Sequence, residues 1–177
     1  MKKLIAKPQL AFGEAVKLAF SKLTQMSGRS RRSEFWWFML VYVVIYWVLG
    51  SIVPLVLPPM AAEIGVGIIM LLALPATARR LHDTGHSEWW VIVSWALNIV
   101  LSIYLVQCGF IDELQSVNAD PMKAVSKLSM PVMGIGGLVL AVTSFATFIF
   151  CLIDSNPQAN KYGESPKYEV VEENDAL

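Results

Sequence analysis

Four long apolar runs separated by short polar punctuation organise the chain. The first, residues 35–57, stops at Pro58-Pro59, which cannot continue a helix. The second, residues 61–78, is shorter, with Glu63 at its start and Pro75 near its end. The third covers residues 89–110, and the fourth, 131–153, opens on proline and closes at Asp154. A helix rises about 1.5 Å per residue, so each run is long enough to cross roughly 30 Å of hydrocarbon. Ahead of them, Phe12, Val16, Ala19, Phe20 and Leu23 recur at helical spacing, with Glu14, Lys17, Ser21, Lys22 and Gln25 mostly elsewhere. This pattern predicts an amphipathic helix lying in the membrane interface, its lysines towards anionic headgroups; packing on the protein's own loops is the alternative. Residues 111–130 are polar enough for a loop outside the membrane, and Asp120-Pro121 is a start signal for a short helix there.

Composition supports lipid as the solvent. The chain has 177 residues, 55% hydrophobic and 16% charged, whereas a soluble domain carries about a quarter charged residues. Net charge is zero, but its distribution is lopsided. Residues 1–33 hold eight of the 14 Lys and Arg against one acid, Glu14, and the last 24 residues hold six acids and two lysines. With the N-terminus inside, twelve basic residues face the cytoplasm and only Lys123 and Lys127 face out, the asymmetry that sets orientation. The predicted fold is therefore an all-α integral membrane protein. Four transmembrane helices form two hairpins behind an N-terminal amphipathic interfacial helix, and both termini are cytoplasmic. Residues 1–33 form a basic arm, 34–154 the membrane domain and 155–177 a cytoplasmic tail. The acidic stretch 169–175, poor in aromatics, is expected to be disordered. MKKLIAKPQL has too short an apolar stretch before Lys7-Pro8 for a cleavable signal and is read as retained. Cys108 and Cys151 fall near opposite faces, so no disulfide is expected. Two cysteines and two histidines make no metal-binding spacing, and no cofactor is implied.

Ser33-Glu34-Phe35-Trp36-Trp37 opens the first span and Ser87-Glu88-Trp89-Trp90 the third. Serine is an N-cap residue, glutamate favours the positive end of a helix, and Trp36, Trp37, Trp89 and Trp90 serve as interface anchors. Together with their surroundings, GRSRRSEFWWF (28–38), RRLHDTGHSEWW (79–90) and NKYGESP (160–166) resemble three signatures of the domain of unknown function 805 family of bacterial inner-membrane proteins. The resemblance runs from about Ser27 to Pro166. It implies a small helical inner-membrane protein and no particular activity. His86 stands where the family pattern has arginine and Glu88 where it has a small residue, so this loop is less positive than the pattern.

The three signatures fall on one predicted face, where Arg29, Arg32, Arg79, Arg80, His82, Asp83, Asn160 and Tyr162 can converge as an anion- or partner-binding site. Arginine pairs grip phosphate or carboxylate bidentately. The competing reading makes Arg79 and Arg80 orientation signals and closes a tight turn with His82, Asp83 and Gly85. The predicted partners are membrane lipids with anionic headgroups, another membrane protein or a second copy of the chain, and not nucleic acid. A transporter is the second hypothesis: Ser94, Asn98 and Ser102 on the third span and Thr143, Thr147, Cys151 and Asp154 on the fourth form polar stripes. Such residues also act as interhelical glue, with Gly137 and Ala141 permitting close approach. A lipid-modifying enzyme using His82 is a distant third, because no nucleophile with a base in reach is visible.

Overall fold

The computed structural model of the protein describes residues 2–172. In chain order the elements are strand β1 (Lys2–Ala6), helices α1 (Phe12–Ser21), α2 (Arg32–Val56), α3 (Pro59–Leu71), α4 (Ala73–Asp83), α5 (Trp89–Gln107), α6 (Phe110–Gln115), α7 (Pro121–Ser126) and α8 (Met130–Leu152), and strand β2 (Tyr168–Glu172). Among the described residues three helices, within α2, α5 and α8, are long and apolar enough to cross a membrane. Their apolar side chains point outwards: Trp47 is 70% exposed and Leu55 84%. Large apolar surface left uncovered in this way needs a lipid environment.

The second apolar run departs from the single helix expected of it, being split at Leu72 into α3 of 13 residues and α4 of 11. Pro75 explains the break. It has no N–H to donate to the carbonyl of Leu71, and its ring crowds that carbonyl, so the regular ladder stops there. The chain turns at Leu72 through a tighter bond from its N–H to Ile69 O.

A second departure is a two-stranded antiparallel sheet in a chain expected to be all-helical. β1 pairs with β2 in the register Leu4 with Val170, Ile5 with Glu169 and Ala6 with Tyr168, and Lys7 N–H extends the ladder to Lys167 O. Part of the acidic tail expected to be disordered is thus a strand, and residues 173–177 lie outside the described residues. The lopsided charge accounts for the pairing. A basic N-terminal segment and an acidic C-terminal one attract, and each supplies a β-capable Leu-Ile or Val-Val pair.

The chain divides into two compact units, Met1–Glu88 with Ile149–Leu177, and Trp89–Phe148. In the first unit α1 lies against α2: Phe12 meets Trp37 edge-on with ring centroids 5.2 Å apart, and Phe20 meets Phe38 at 5.7 Å. Ala15 and Ala19 are its buried residues, while Phe12 and Phe20 stay half exposed. The amphipathic helix expected at the interface therefore covers α2 with its small residues. A small core joins Ala19, Phe35, Phe38, Ala76 and Cys151.

In the second unit Asp120 caps α7, its carboxylate accepting from the N–H groups of Met122 and Lys123, as the Asp-Pro pair predicts. Glu113 of α6 holds Lys123 at 3.1 Å and Lys127 at 2.9 Å. The close approach expected at Gly137 occurs one residue earlier, since a Cβ at Gly136 would meet Leu101 at 3.0 Å and none is near at Gly137. Ser94, Ser102, Thr143 and Thr147 each donate to a carbonyl one turn back in their own helix, and Asn98 is exposed. Hydroxyls satisfied in this way need no water or ion as partner.

Candidate functional site

Everything in the site grows from the end of α4. RRLHD is buried all round: Arg79 is 1% exposed, Arg80, Leu81 and Asp83 0%, and His82 4%. A helix end leaves its last carbonyls without intrahelical partners, and a buried end must find them elsewhere. Here Gly85 supplies a turn with φ +84°. Its N–H donates to His82 O and the His86 N–H to Leu81 O, the paired bonds of a glycine-closed helix terminus. Other segments supply the rest. Ser30 N–H donates to Arg79 O, Asn156 N–H to Asp83 O, and the Asn160 amide to His82 O at 2.9 Å. The tight turn expected from His82, Asp83 and Gly85 is present.

Two guanidinium forks hold Asp83. Arg29 Nε donates to Asp83 Oδ1 at 3.0 Å and Arg80 Nη1 to Oδ2 at 2.5 Å, with all three side chains at 1% exposure or less. The remaining donors go to the main chain. Arg29 bonds Gln158 O at 2.8 Å, Gly163 O at 3.1 Å, Asp83 O at 3.3 Å and Asn156 O at 2.5 Å. Arg80 bonds Cys151 O and Ser30 O, both at 3.2 Å, and Ile153 O. Arg79 turns the other way, to Lys22 O at 2.6 Å and to Gln25 O, with buried Glu34 as its electrostatic partner. The segment before α2, the end of α4 and the chain after α8 are therefore clasped by arginine. A buried charge is tolerable only when paired and hydrogen-bonded. Every guanidinium nitrogen of Arg29 and Arg80 has a partner, whereas the buried Arg79 Nε has none among the described residues.

His82 completes the clasp. Its Nδ1 lies 3.0 Å from Gly28 O and its Nε2 2.8 Å from Glu88 Oε2. Both partners are acceptors, so both contacts are hydrogen bonds only when each ring nitrogen carries a proton. The ring stacks on Tyr162 with centroids 3.7 Å apart and planes 6° from parallel. Tyr162 belongs to a tight turn in which Asn160 and Gly163 exchange two backbone bonds, with Gly163 at φ +127°. His86 stacks on Phe150 at 3.6 Å.

Of the residues expected to converge, Arg29, Arg79, Arg80, His82, Asp83, Asn160 and Tyr162 come together. Arg32 does not; it is exposed and makes no hydrogen bond or ion pair among the described residues. Ser33 is not the expected cap, since α2 starts at Arg32 and the Ser33 Oγ has no partner among the described residues. The Ser87 hydroxyl turns to Glu88, 3.4 Å away. Of the tryptophans expected to be interface anchors, Trp36 and Trp37 sit in the first turns of α2, and Trp89 and Trp90 open α5, with Trp89 64% exposed. Sequence reasoning missed Glu34 as a buried countercharge. It also missed the carbonyls of Gly28, Ser30, Asn156 and Gln158, which carry no side-chain signature.

The Glu88 carboxyl is held below the usual range by its own backbone N–H and then by His82. A depressed carboxyl stabilises the fold above its unfolded value, near 4.5, and loses that contribution as pH falls through the lowered folded value. Glu88→Gln is expected to cost at most about 1 kcal/mol at neutral pH. Melting curves of both proteins should converge in acid; a gap unchanged down to about pH 3 would disprove the coupling.

Comparison with known proteins agrees with the three signatures that build the clasp. Two relatives, each named inner membrane protein YhaH, from Escherichia coli strain K12 and from Escherichia coli O157:H7, are 34% identical over 87 residues, covering 42% of this chain and 72% of theirs. No solved structure matches the chain. The model of the family described as protein of unknown function (DUF805) matches residues 23–164, a stretch that takes in Arg29, the RRLHD helix end and the Asn160–Gly163 turn, and the chain belongs to that family.

Proposed function

We propose that the protein is a multi-pass inner-membrane protein that works by binding, without catalysis, and that its cytoplasmic face engages an anionic headgroup. The observation that carries this reading is that Lys7 and Arg32 stay exposed, with no side-chain hydrogen bond or ion pair among the described residues, beside an arginine clasp whose own guanidinium groups are taken up inside. The clasp ties together chain segments that precede, separate and follow the apolar helices and so fixes the surface that carries these free basic groups. Inner-membrane residence is supported by the relatives' printed names and the three long apolar helices. Pairing of β1 with β2 supports placing both ends of the described chain on one side, an arrangement that goes with an even number of crossings. A fourth crossing by α3 and α4 in tandem, about 37 Å of helix at 1.5 Å per residue, fits that arrangement. The basic N-terminal segment and Arg79 and Arg80 favour the cytoplasm for that side.

Binding fits better than turnover because the acid–base candidates are occupied. Both oxygens of Asp83 hold guanidinium groups, and both nitrogens of His82 hold partners. A general base needs a free site within reach of a substrate proton. The test is native mass spectrometry of the full chain extracted gently from vesicles of equal phosphatidylglycerol and phosphatidylcholine. Preferential retention of the anionic lipid is expected; equal retention of both would overturn the reading.

A further inference from the structure

Between the segment that follows β1 and the start of α2 lies a cavity of about 870 Å³ that the clasp does not use. Its walls divide by chemistry. Lys7, Arg32 and Lys167 line one part, and Trp37, Leu40 and Val43 line another. The apolar residues follow one stripe of α2 at spacings of three, and from Ser33 to Val43 the stripe runs roughly 15 Å. They are 37%, 53% and 43% exposed, so the wall is uncovered along a helix long and apolar enough to cross a membrane.

The polar part is unbalanced. Lys7 makes no side-chain hydrogen bond or ion pair among the described residues, and Arg32 makes no such close contact and only attracts Asp154 at longer range. Lys167 is paired with Asp154, and Arg31 also lines the cavity. Asp154 is thus the lone acid against four basic side chains. Arg31 donates to Pro8 O at 2.8 Å, which pins the segment carrying Lys7 against the start of α2. The first turn of α2 adds uncapped N–H groups. Ser33 also lines the cavity, although its Oγ is itself buried and without a partner among the described residues. Helix N-termini and guanidinium forks both favour phosphate oxygens.

We propose that this groove binds one anionic phospholipid. Its phosphate lies against Arg32, Lys7 and the start of α2, and an acyl chain runs along Trp37, Leu40 and Val43. The amphipathic split selects this occupant. A soluble anion leaves the apolar wall uncovered, and a zwitterionic lipid brings an ammonium group to a rim already in cationic excess. The size is within the range of small-ligand sites. The inference rests on the headgroup-binding reading above and gives it a location.

Full-length protein would be reconstituted in vesicles of equal phosphatidylglycerol and phosphatidylcholine and examined by native mass spectrometry, as wild type, as Lys7→Gln/Arg32→Gln and as Val43→Trp. The wild type is expected to keep phosphatidylglycerol in preference to phosphatidylcholine. Removing two basic groups should reduce that preference about thirtyfold, the effect of two charges at an anionic surface. In detergent without added phospholipid the melting temperature should change little, because neither side chain makes a close polar contact inside, so the loss of lipid is not a loss of fold. Val43→Trp should reduce retention by filling the wall. A preference that survives in the double variant overturns this site while leaving the headgroup reading intact. A wild type without preference overturns both. Competition by glycerol phosphate as effective as by the lipid overturns the lipid in favour of a small anion.

Discussion

Asp83→Ala is expected to lower stability by about 3–5 kcal/mol, the cost of leaving buried charges without their partner. Asp83 is 0% exposed and holds Arg29 at 3.0 Å and Arg80 at 2.5 Å. Without it two guanidinium groups face each other in the protein interior, with Glu34 beside Arg79 as the nearest buried acid. Asp154→Asn is the proper control. Its carboxylate is 51% exposed and pairs with Lys167, and exposed pairs contribute at most about 1 kcal/mol. Unfolding of the detergent-solubilised variants by heat would compare them. Equal losses for the two would show that burial lends the Asp83 cluster no special weight.

Arg29→Lys should release the chain after α8 while leaving the helices assembled. The guanidinium bonds Asn156 O, Gln158 O and Gly163 O as well as Asp83. Lysine keeps the charge but has a single nitrogen, and it cannot reach three carbonyls and a carboxylate in the geometry of a planar fork. Loss of several hydrogen bonds to a charged group corresponds to about 3 kcal/mol of local stability, or roughly a hundredfold faster amide exchange over residues 156–166. Exchange in α5 should be unaffected. Unchanged protection of residues 156–166 would mean that the β1–β2 pairing and the Asn160–Gly163 turn hold this segment without Arg29.

Much of this architecture was legible in the residues. The apolar runs marked α2, α5 and α8 within a few positions, because in lipid a backbone must satisfy its own hydrogen bonds and a long apolar stretch has no alternative to a helix. Gly85 marked a tight turn after His82-Asp83, since a positive φ is cheap only for glycine, but the second run was expected to end at residue 78 and α4 continues to Asp83. Asp120-Pro121 marked α7 for a similarly local reason. Pro75 was visible too, but whether a proline bends a helix or ends it depends on what its neighbours offer the freed carbonyl. The strand at the acidic tail was illegible because its partner lies more than 160 residues away, and charge alone signals disorder as readily as pairing.

The candidate site divides along the same line. The sequence by itself determined that arginine, histidine and aspartate would gather at one face, because charged groups avoid hydrocarbon and basic ones stay on the side where the chain is inserted. Only the tertiary structure decided which of these groups are spent inside and which stay available. Arg29 and Arg80 look no different from Arg32 as residues, yet two are saturated by carbonyls and Asp83 while the third lies exposed beside an uncovered apolar wall. The physical reason is that an arginine's usual partners here are main-chain oxygens, and every residue has one. Which carbonyls turn towards a guanidinium is set by how distant segments pack, and no residue type announces it.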